Sequence, residues 1–460
     1  MTIAGSEEGA SYLEAHPDLC SLEVLTPDMN GILRAKRIPR SEIETFYASG
    51  ITGPASAPIL NTLGDSCRKI GLGTIDGDPD KWVRPVAGSL APIPWLGSAT
   101  HQVLGYWTEA DGTLLERDCR AALRRALAPL TEMGYRVTVA TELEFYLLDD
   151  PDGPVPKPRL GRIPGTTLPQ TGTQYCNPED MAEYDDFLEA VRLACEVQGI
   201  PATTAHPEFA PGQLEINLHH VDDPELACDH AVLLKRLIKG VALNQSMGAT
   251  FMAKPFPEVP GSGLHIHVSV YDRDGNNVFA DPGSTQVPPI SKDMRHAVGG
   301  LGALMADCQA IFAPNANSYR RLQPGVFAPL SPNWGYNHRN VSLRIPVSGV
   351  GDMRIEHRVA GADANPYLVL ASVLAGIHYG LENRSEPGPF IDEGTRLEEE
   401  EITLPRNWPQ ALDRFAASSV LPRYLGEEYC RIFETTRRDE YEQFSAVITN
   451  LDYEWYLRTV

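Results

Sequence analysis

The sequence predicts an α+β chain of two unequal parts, a small α+β domain over residues 1–110 and a large α/β domain over residues 111–460. Three observations carry this reading. At 460 residues the chain is too long for one ordinary core, so two or three domains are expected. Beyond residue 118, segments of period two alternate with segments of period 3.6, the pattern of strands interleaved with helices. Several of those strands place acids, His or Arg on one face and aliphatics on the other, as a sheet curved around a polar cavity requires.

In the first part, Leu22, Val24 and Ile32 flank Asp28-Met29-Asn30-Gly31, and Asn-Gly is a strong tight-turn signal, so residues 21–38 read as a hairpin. Ser41 and Glu44 have capping-box spacing for a short helix that Gly50 ends. Residues 51–100, rich in Gly and Pro, read as irregular strands and loops, and residues 103–107 as a strand closed by Asp111-Gly112. In the second part Asp118 caps a helix reaching Met133, Gly134 stops it, and residues 135–148 form a long strand. Residues 149–178 have almost no periodicity, and a loop of that length is usually functional or disordered. Helices are expected at 179–198, 223–246, 292–312, 365–383, 408–418 and 424–447, with strands near 213–219, 249–253, 264–271, 340–347 and 353–359. There are no internal repeats and no low-complexity tracts.

A net charge of −22, from 61 acids against 39 bases, disfavours nucleic acid and an anionic membrane surface as partners. The eight cysteines are scattered with no Cys-x-x-Cys, which argues against a disulfide framework or zinc–thiolate site and for a reducing compartment. Glu7 and Glu8 and the lack of an apolar run are unlike a signal peptide, and no stretch approaches the ~20 apolar residues that span a bilayer. The expectation is a cytoplasmic protein.

The chemistry-bearing residues fall on alternating strands. Glu142 and Glu144 share one face of Thr141-Glu142-Leu143-Glu144-Phe145, and two adjacent carboxylates need solvent, cations or protons. In His206-Pro207-Glu208-Phe209-Ala210-Pro211-Gly212-Gln213-Leu214-Glu215-Ile216-Asn217, the residues Gln213, Glu215 and Asn217 line up again. His265, His267 and Ser269 share a third face, after a loop that opens with Lys254-Pro255 and closes with Gly261-Ser262-Gly263. Arg354-Ile355-Glu356-His357-Arg358 brackets an acid with two guanidiniums. Carboxylates with one or two imidazoles suit Mg²⁺ or Mn²⁺, whereas zinc recruits more His or Cys. The neighbours His219 and His220 compete as ligands, but chain neighbours on a strand point apart. Arg320, Arg321, Arg339, Arg344, Arg354 and Arg358 add groups suited to carboxylate or phosphate. Together these suggest phosphoryl transfer from a nucleotide, without a Walker A, protein-kinase or Gly-x-Gly-x-x-Gly motif. A dinuclear metallohydrolase would fit the acids and His but leaves the arginines and the Lys254 loop unexplained.

The string from Lys254-Pro255 through Gly261-Ser262-Gly263 to His265 and Ser269 resembles the ATP-region signature of the glutamine synthetase family, and the likeness extends over nearly all of the chain beyond residue 110. It implies a small β-grasp-like N-terminal domain, a large half-barrel catalytic domain, and a dodecamer of two hexameric rings with active sites between subunits. It implies one metal on Glu142, His265 and Glu356 and another on Glu144, Glu208 and Glu215. Lys254, His267 and Ser269 would serve ATP, as would Arg344 and Arg354. Arg321 and Gly261 would serve the glutamate substrate, and Arg339, Arg344 and Arg358 the transferring phosphoryl group.

The sequence departs from ammonia-using members at three points. Phe327 stands where the loop Arg321-Leu322-Gln323-Pro324-Gly325-Val326-Phe327 would carry an ammonium-binding acid. Pro260 replaces the usual Asn before Gly-Ser-Gly, and Asp65-Ser66 is only a faint echo of the ammonium loop. The expectation is a larger amine, a polyamine such as putrescine or a monoamine, with Phe327 and Trp334 as candidate walls and a phrase pattern nearest the γ-glutamylpolyamine synthetase branch. The alternatives are an ammonia-dependent glutamine synthetase and a non-catalytic binding protein on the same fold.

Overall fold

The first sheet of the computed structural model, which describes residues 3–96, 99–149, 153, 155–324, 327–395 and 402–460, grows from the expected hairpin. Asp28 Oδ1 accepts from the Asn30 and Ile32 backbone N–H groups at 2.8 and 3.0 Å, and Gly31 takes φ 75°, which closes the turn between Ser21–Pro27 and Leu33–Pro39. Ser21–Pro27 then runs parallel to the wholly buried strand Thr100–Thr108, which pairs with Asp80–Pro85, itself beside Ile51–Pro54. Residues 51–100, expected as irregular strands and loops, supply the strands Ile51–Pro54, Asp80–Pro85 and Ala91–Pro92. Pro85, Pro92 and the many turns between them hide the period. The expected capping box at Ser41 is not formed. A 3-10 turn, Arg40–Glu42, precedes the helix Ile43–Ser49, and no side chain caps it.

Asp118 caps the helix Cys119–Glu132 through the Arg120 N–H at 2.9 Å and also accepts from the Trp107 N–H at 3.1 Å, so one carboxylate joins the last strand of the first sheet to the second part. Buried polar contacts continue the seam. Tyr106 donates to Glu225 at 3.0 Å, the Arg120 guanidinium lies over the Tyr106 ring at 4.9 Å, and Asn365 donates to the Asp28 carbonyl at 3.1 Å.

The second sheet has ten strands and curves as a half-barrel. Its main path runs Phe390–Ile391, Trp334–Tyr336, Leu343–Ile345, Ile355–His357, Leu264–Tyr271, Arg136–Asp149, Gln213–Leu218 and Ala202–Pro207. Helices including Pro224–Asn244 and Pro366–Asn383 cover its apolar face, and Leu143, Phe145, Leu264, Ile266, Leu214 and Ile216 point into that core. Alternation leaves the other face polar.

Where a single helix was expected at 179–198 there are two, Pro178–Glu183 and Asp185–Gln198, and Gly426 at φ 93° divides Leu421–Leu425 from Glu427–Ser445. After a capping box at Thr449, the short helix Asn450–Tyr456 stands outside the core. Val447, Ile448, Leu451, Tyr453, Trp455 and Leu457 around it are all exposed. No helix among the described residues is long and apolar enough to cross a membrane.

Candidate active site

Strand register assembles the site. His265 stands opposite Glu142, which stands opposite Asn217. One step along, Glu144 is opposite Glu215, and Glu215 is opposite His206. On the other side His267 faces Glu356, and Glu356 faces Arg344. Period two on each strand and this pairing together turn the acids and imidazoles onto the concave face.

Glu142 lies 3.1 Å from His265 Nδ1 and 2.8 Å from His267 Nε2. Its carboxyl is held well below the usual range: burial would raise it, but the two imidazoles outweigh burial. Glu144 accepts from the Gly263 N–H at 2.7 Å, and a Cβ on Gly263 would lie 2.9 Å from Arg321 Nη2 and 3.1 Å from His265 Nε2, so a side chain there would displace both groups. Glu356 accepts from Arg344 at 2.7 Å and from Arg358. Burial opposes its ionisation, yet Arg358, His267 and His265 hold it down at about 2. Glu215 behaves oppositely. Burial and the charges of Glu142, Glu144 and Glu208 push it up to about 9.

Among the described residues three groups have ligand atoms within 4.8 Å of one another: Glu142, His265 and Glu356; Glu144, Glu215 and His265; His206, Glu208 and Glu215. A carboxyl as crowded as Glu215 calls for positive charge, and sets of oxygens with one imidazole suit a hard divalent ion, so the residues present fit two such ions. The first expected set is gathered as written. In the second, Glu208 shares its group with His206 rather than Glu144. His206 is not among the ligands the sequence led us to expect. Its place two residues before Glu208, on a strand antiparallel to Glu215, is the signal that could have found it.

The remaining expected residues divide. His267, Ser269 and Arg354 line one recess of about 450 Å³ next to Glu142, although the Ser269 hydroxyl donates to the Met353 carbonyl at 3.0 Å. Arg354 Nε lies 3.4 Å from His267 Nδ1. Arg321 is buried beside Glu144 and donates to the Val359 carbonyl at 2.9 Å, and a Cβ on Gly261 would meet its Cγ at 2.8 Å. Arg339 is exposed and acts electrostatically on Tyr175. Two residues are corrected. Lys254 does not line the recess; its ammonium is folded back on the Val259 carbonyl and closes its own loop. Trp334 is in the core, its N–H on the Gly388 carbonyl at 2.8 Å, because Gly335 rather than Trp334 pairs with Arg344 and alternation turns the indole away. Phe327 is exposed, 5.6 Å from the Phe209 ring, while Gly325 and Val326 of its loop lie outside the described residues.

A family model described as glutamine synthetase, catalytic domain, matches residues 116–456. The chain is 40% identical over 458 residues to gamma-glutamylputrescine synthetase PuuA of Escherichia coli, covering 99% of this chain and 95% of that one. It is 31% identical to glutamate–isopropylamine ligase of Pseudomonas sp, covering 83% and 82%, and 30% identical to glutamine synthetase of Thermotoga maritima, covering 83% and 86%. Among solved structures, GmaS without ligand matches with TM-score 0.82 at 25% identity over 98% of this chain and 99% of that chain. This chain belongs to the glutamine synthetase family, and within it is similar to the members that ligate amines larger than ammonia.

Proposed function

We propose that this protein is an ATP-dependent ligase joining the γ-carboxylate of glutamate to a primary amine through γ-glutamyl phosphate. The observation that carries it is the acid trough of Glu142, Glu144, Glu215 and Glu356 set against Arg321, Arg344 and Arg358, with a phenyl ring instead of an acid at position 327. Glu142, His265 and Glu356 would hold one Mg²⁺ or Mn²⁺, and Glu144, Glu208 and Glu215, with His206, another. When bound, such ions neutralise phosphoryl oxygens and polarise the P–O bond under attack.

In the first step a γ-carboxylate oxygen of glutamate attacks the γ-phosphorus of ATP and ADP leaves. Arg344 and Arg358, both bonded to Glu356, would offset the negative charge that gathers on the transferring group, and Arg321, buried beside Glu144, would take the substrate's carboxylate. His267, Ser269 and Arg354 line the recess assigned to the nucleotide. In the second step the amine nitrogen attacks the γ-carbonyl carbon, the C–O bond to phosphate breaks, and the nitrogen gives up one proton. An alkylamine with a pKa near ~10 must shed its first proton before it attacks.

We further propose a division near residue 110, a cytoplasmic location supported by eight free cysteines, and a homo-oligomer of two hexameric rings supported by the exposed apolar segment after Ser445. Phosphate release with glutamate, ATP and a panel of amines tests the activity. Turnover with putrescine, ethanolamine or methylamine is expected. Strong turnover with ammonia and none with those amines would instead establish an ammonia-dependent enzyme, and no turnover with any acceptor a binding protein.

A further inference from the structure

The loop that showed no period in sequence ends in a fixed position. Gln174 is fully buried, and its amide donates to the Ala210 carbonyl at 2.9 Å and the Gln213 carbonyl at 3.1 Å. Cys176, at φ 52°, donates its N–H to the Pro207 carbonyl at 3.0 Å. These bonds hold Tyr175 between them over the end of the strand Ala202–Pro207. Its ring stacks on Phe209 at 4.5 Å with 15° between planes, and Phe209 meets Phe327 at 5.6 Å. Three segments distant in sequence thus contribute one run of aromatic faces.

All three rings face water, with Tyr175 39%, Phe209 38% and Phe327 51% exposed. Their inner end abuts the acid trough. The Phe209 N–H donates to Glu208 at 3.2 Å, and the Tyr175 ring meets His206 edge-on at 6.0 Å, where His206 lies 3.1 Å from Glu208. A flat apolar surface leading outward from a cluster of carboxylates is complementary to a molecule with a cationic head and a carbon body. The head is attracted by the acids and by the faces of the rings, and the methylenes cover carbon that would otherwise face water.

We infer that Tyr175, Phe209 and Phe327 form the wall along which the acceptor amine's alkyl chain lies, and that this wall selects amines of several carbons over ammonia. The inference rests on the proposed ligase reading and names the acceptor's chemistry at that same site. The Tyr175 hydroxyl has no part in it; only the ring face does.

The test measures phosphate release with glutamate and ATP against hydroxylamine, methylamine, n-propylamine and n-butylamine, with hydroxylamine as the small acceptor that cannot reach the wall. In the unmodified protein kcat/KM is expected to rise with chain length. Phe209→Ala and Tyr175→Ala are expected to lower kcat/KM for n-butylamine about tenfold or more, mostly through KM, and to leave hydroxylamine within about twofold. Tyr175→Phe is expected to keep the preference. Should the alanine variants fail to fold, Phe209→Leu and Tyr175→Leu, which keep bulk but lose the flat face, are expected to flatten the same chain-length series. A rate independent of chain length in the unmodified protein, or an equal loss for hydroxylamine and n-butylamine in the variants, would overturn the wall. Use of hydroxylamine and ammonia with no alkylamine turnover at all would overturn the ligase reading itself.

Discussion

Glu356 accepts hydrogen bonds from two guanidiniums, is 1% exposed, and still offers an oxygen to the group with Glu142 and His265. Glu356→Gln removes the partner of two buried cations, so a stability loss of about 3–5 kcal/mol is expected in urea melts. Activity should fall by about 10²-fold or more. A higher Mn²⁺ requirement is expected, since mass action offsets a weakened site, and an unchanged requirement would argue against its ligand role. Glu215 gives the opposite sign: burial and then the neighbouring acids push it up to about 9, so Glu215→Gln should raise metal-free stability by about 1–2 kcal/mol while shrinking the rise in Tm that Mn²⁺ produces. His230 tests acid behaviour away from the trough. Burial pushes it down to about 4, so the folded chain takes its proton later than the unfolded chain does. Its contribution is complete above about pH 6.5, the ordinary histidine value, and is lost as pH falls toward 4. Urea melts from pH 7 to 4 should show up to ~1.4 kcal/mol per pH unit from this group, and His230→Gln should remove that share.

Among elements, the junction at Gly263 and the loop ending at Phe327 carry the sharpest consequences. Gly263→Ala puts a methyl 2.9 Å from Arg321 Nη2 and 3.1 Å from His265 Nε2, so the folded variant should lose both activity and Mn²⁺-dependent stabilisation. Phe327→Glu introduces an acid where the family resemblance implies an ammonium-binding one, and ammonia-dependent phosphate release should rise. No gain in a folded variant would count against that placement. The long strands Arg136–Asp149 and Leu264–Tyr271 were legible because eight or more residues display a period of two, and that period alone told which side chains share a face. Trp334–Tyr336 and Ile355–His357 span three residues each, too few for a period. Trp334 could therefore be read as a wall of the site, while the neighbouring Gly335 holds the position opposite Arg344. Lys254 was read from its loop as a phosphate ligand, but no local pattern shows that its ammonium turns to the Val259 carbonyl. The Tyr175–Phe209–Phe327 run was illegible for a related reason. It is a contact between segments, set by the buried amide of Gln174.

For the molecule as a whole, the alternation of period-two and period-3.6 segments set the class, and the register of eight main-path strands among the described residues, which periodicity cannot give, built the trough. The first sheet ends at Thr108 and a helix begins at Cys119, and the bonds Trp107 to Asp118, Tyr106 to Glu225 and Asn365 to Asp28 cross between them. Assembly is the prediction proper to this scale. Removing residues 447–460 deletes Val447, Ile448, Leu451, Tyr453, Trp455 and Leu457, all exposed in the single chain. Sedimentation should then report particles smaller than those of the full chain, and an unchanged mass would remove this segment from the assembly.

That tail has a practical consequence for any assay. In the proposed assembly these greasy side chains would be covered by a neighbouring copy, and such association is governed by mass action. Specific activity should therefore decline when the enzyme is diluted toward nanomolar levels, recover on concentration, and show a lag when measured immediately after dilution is reversed.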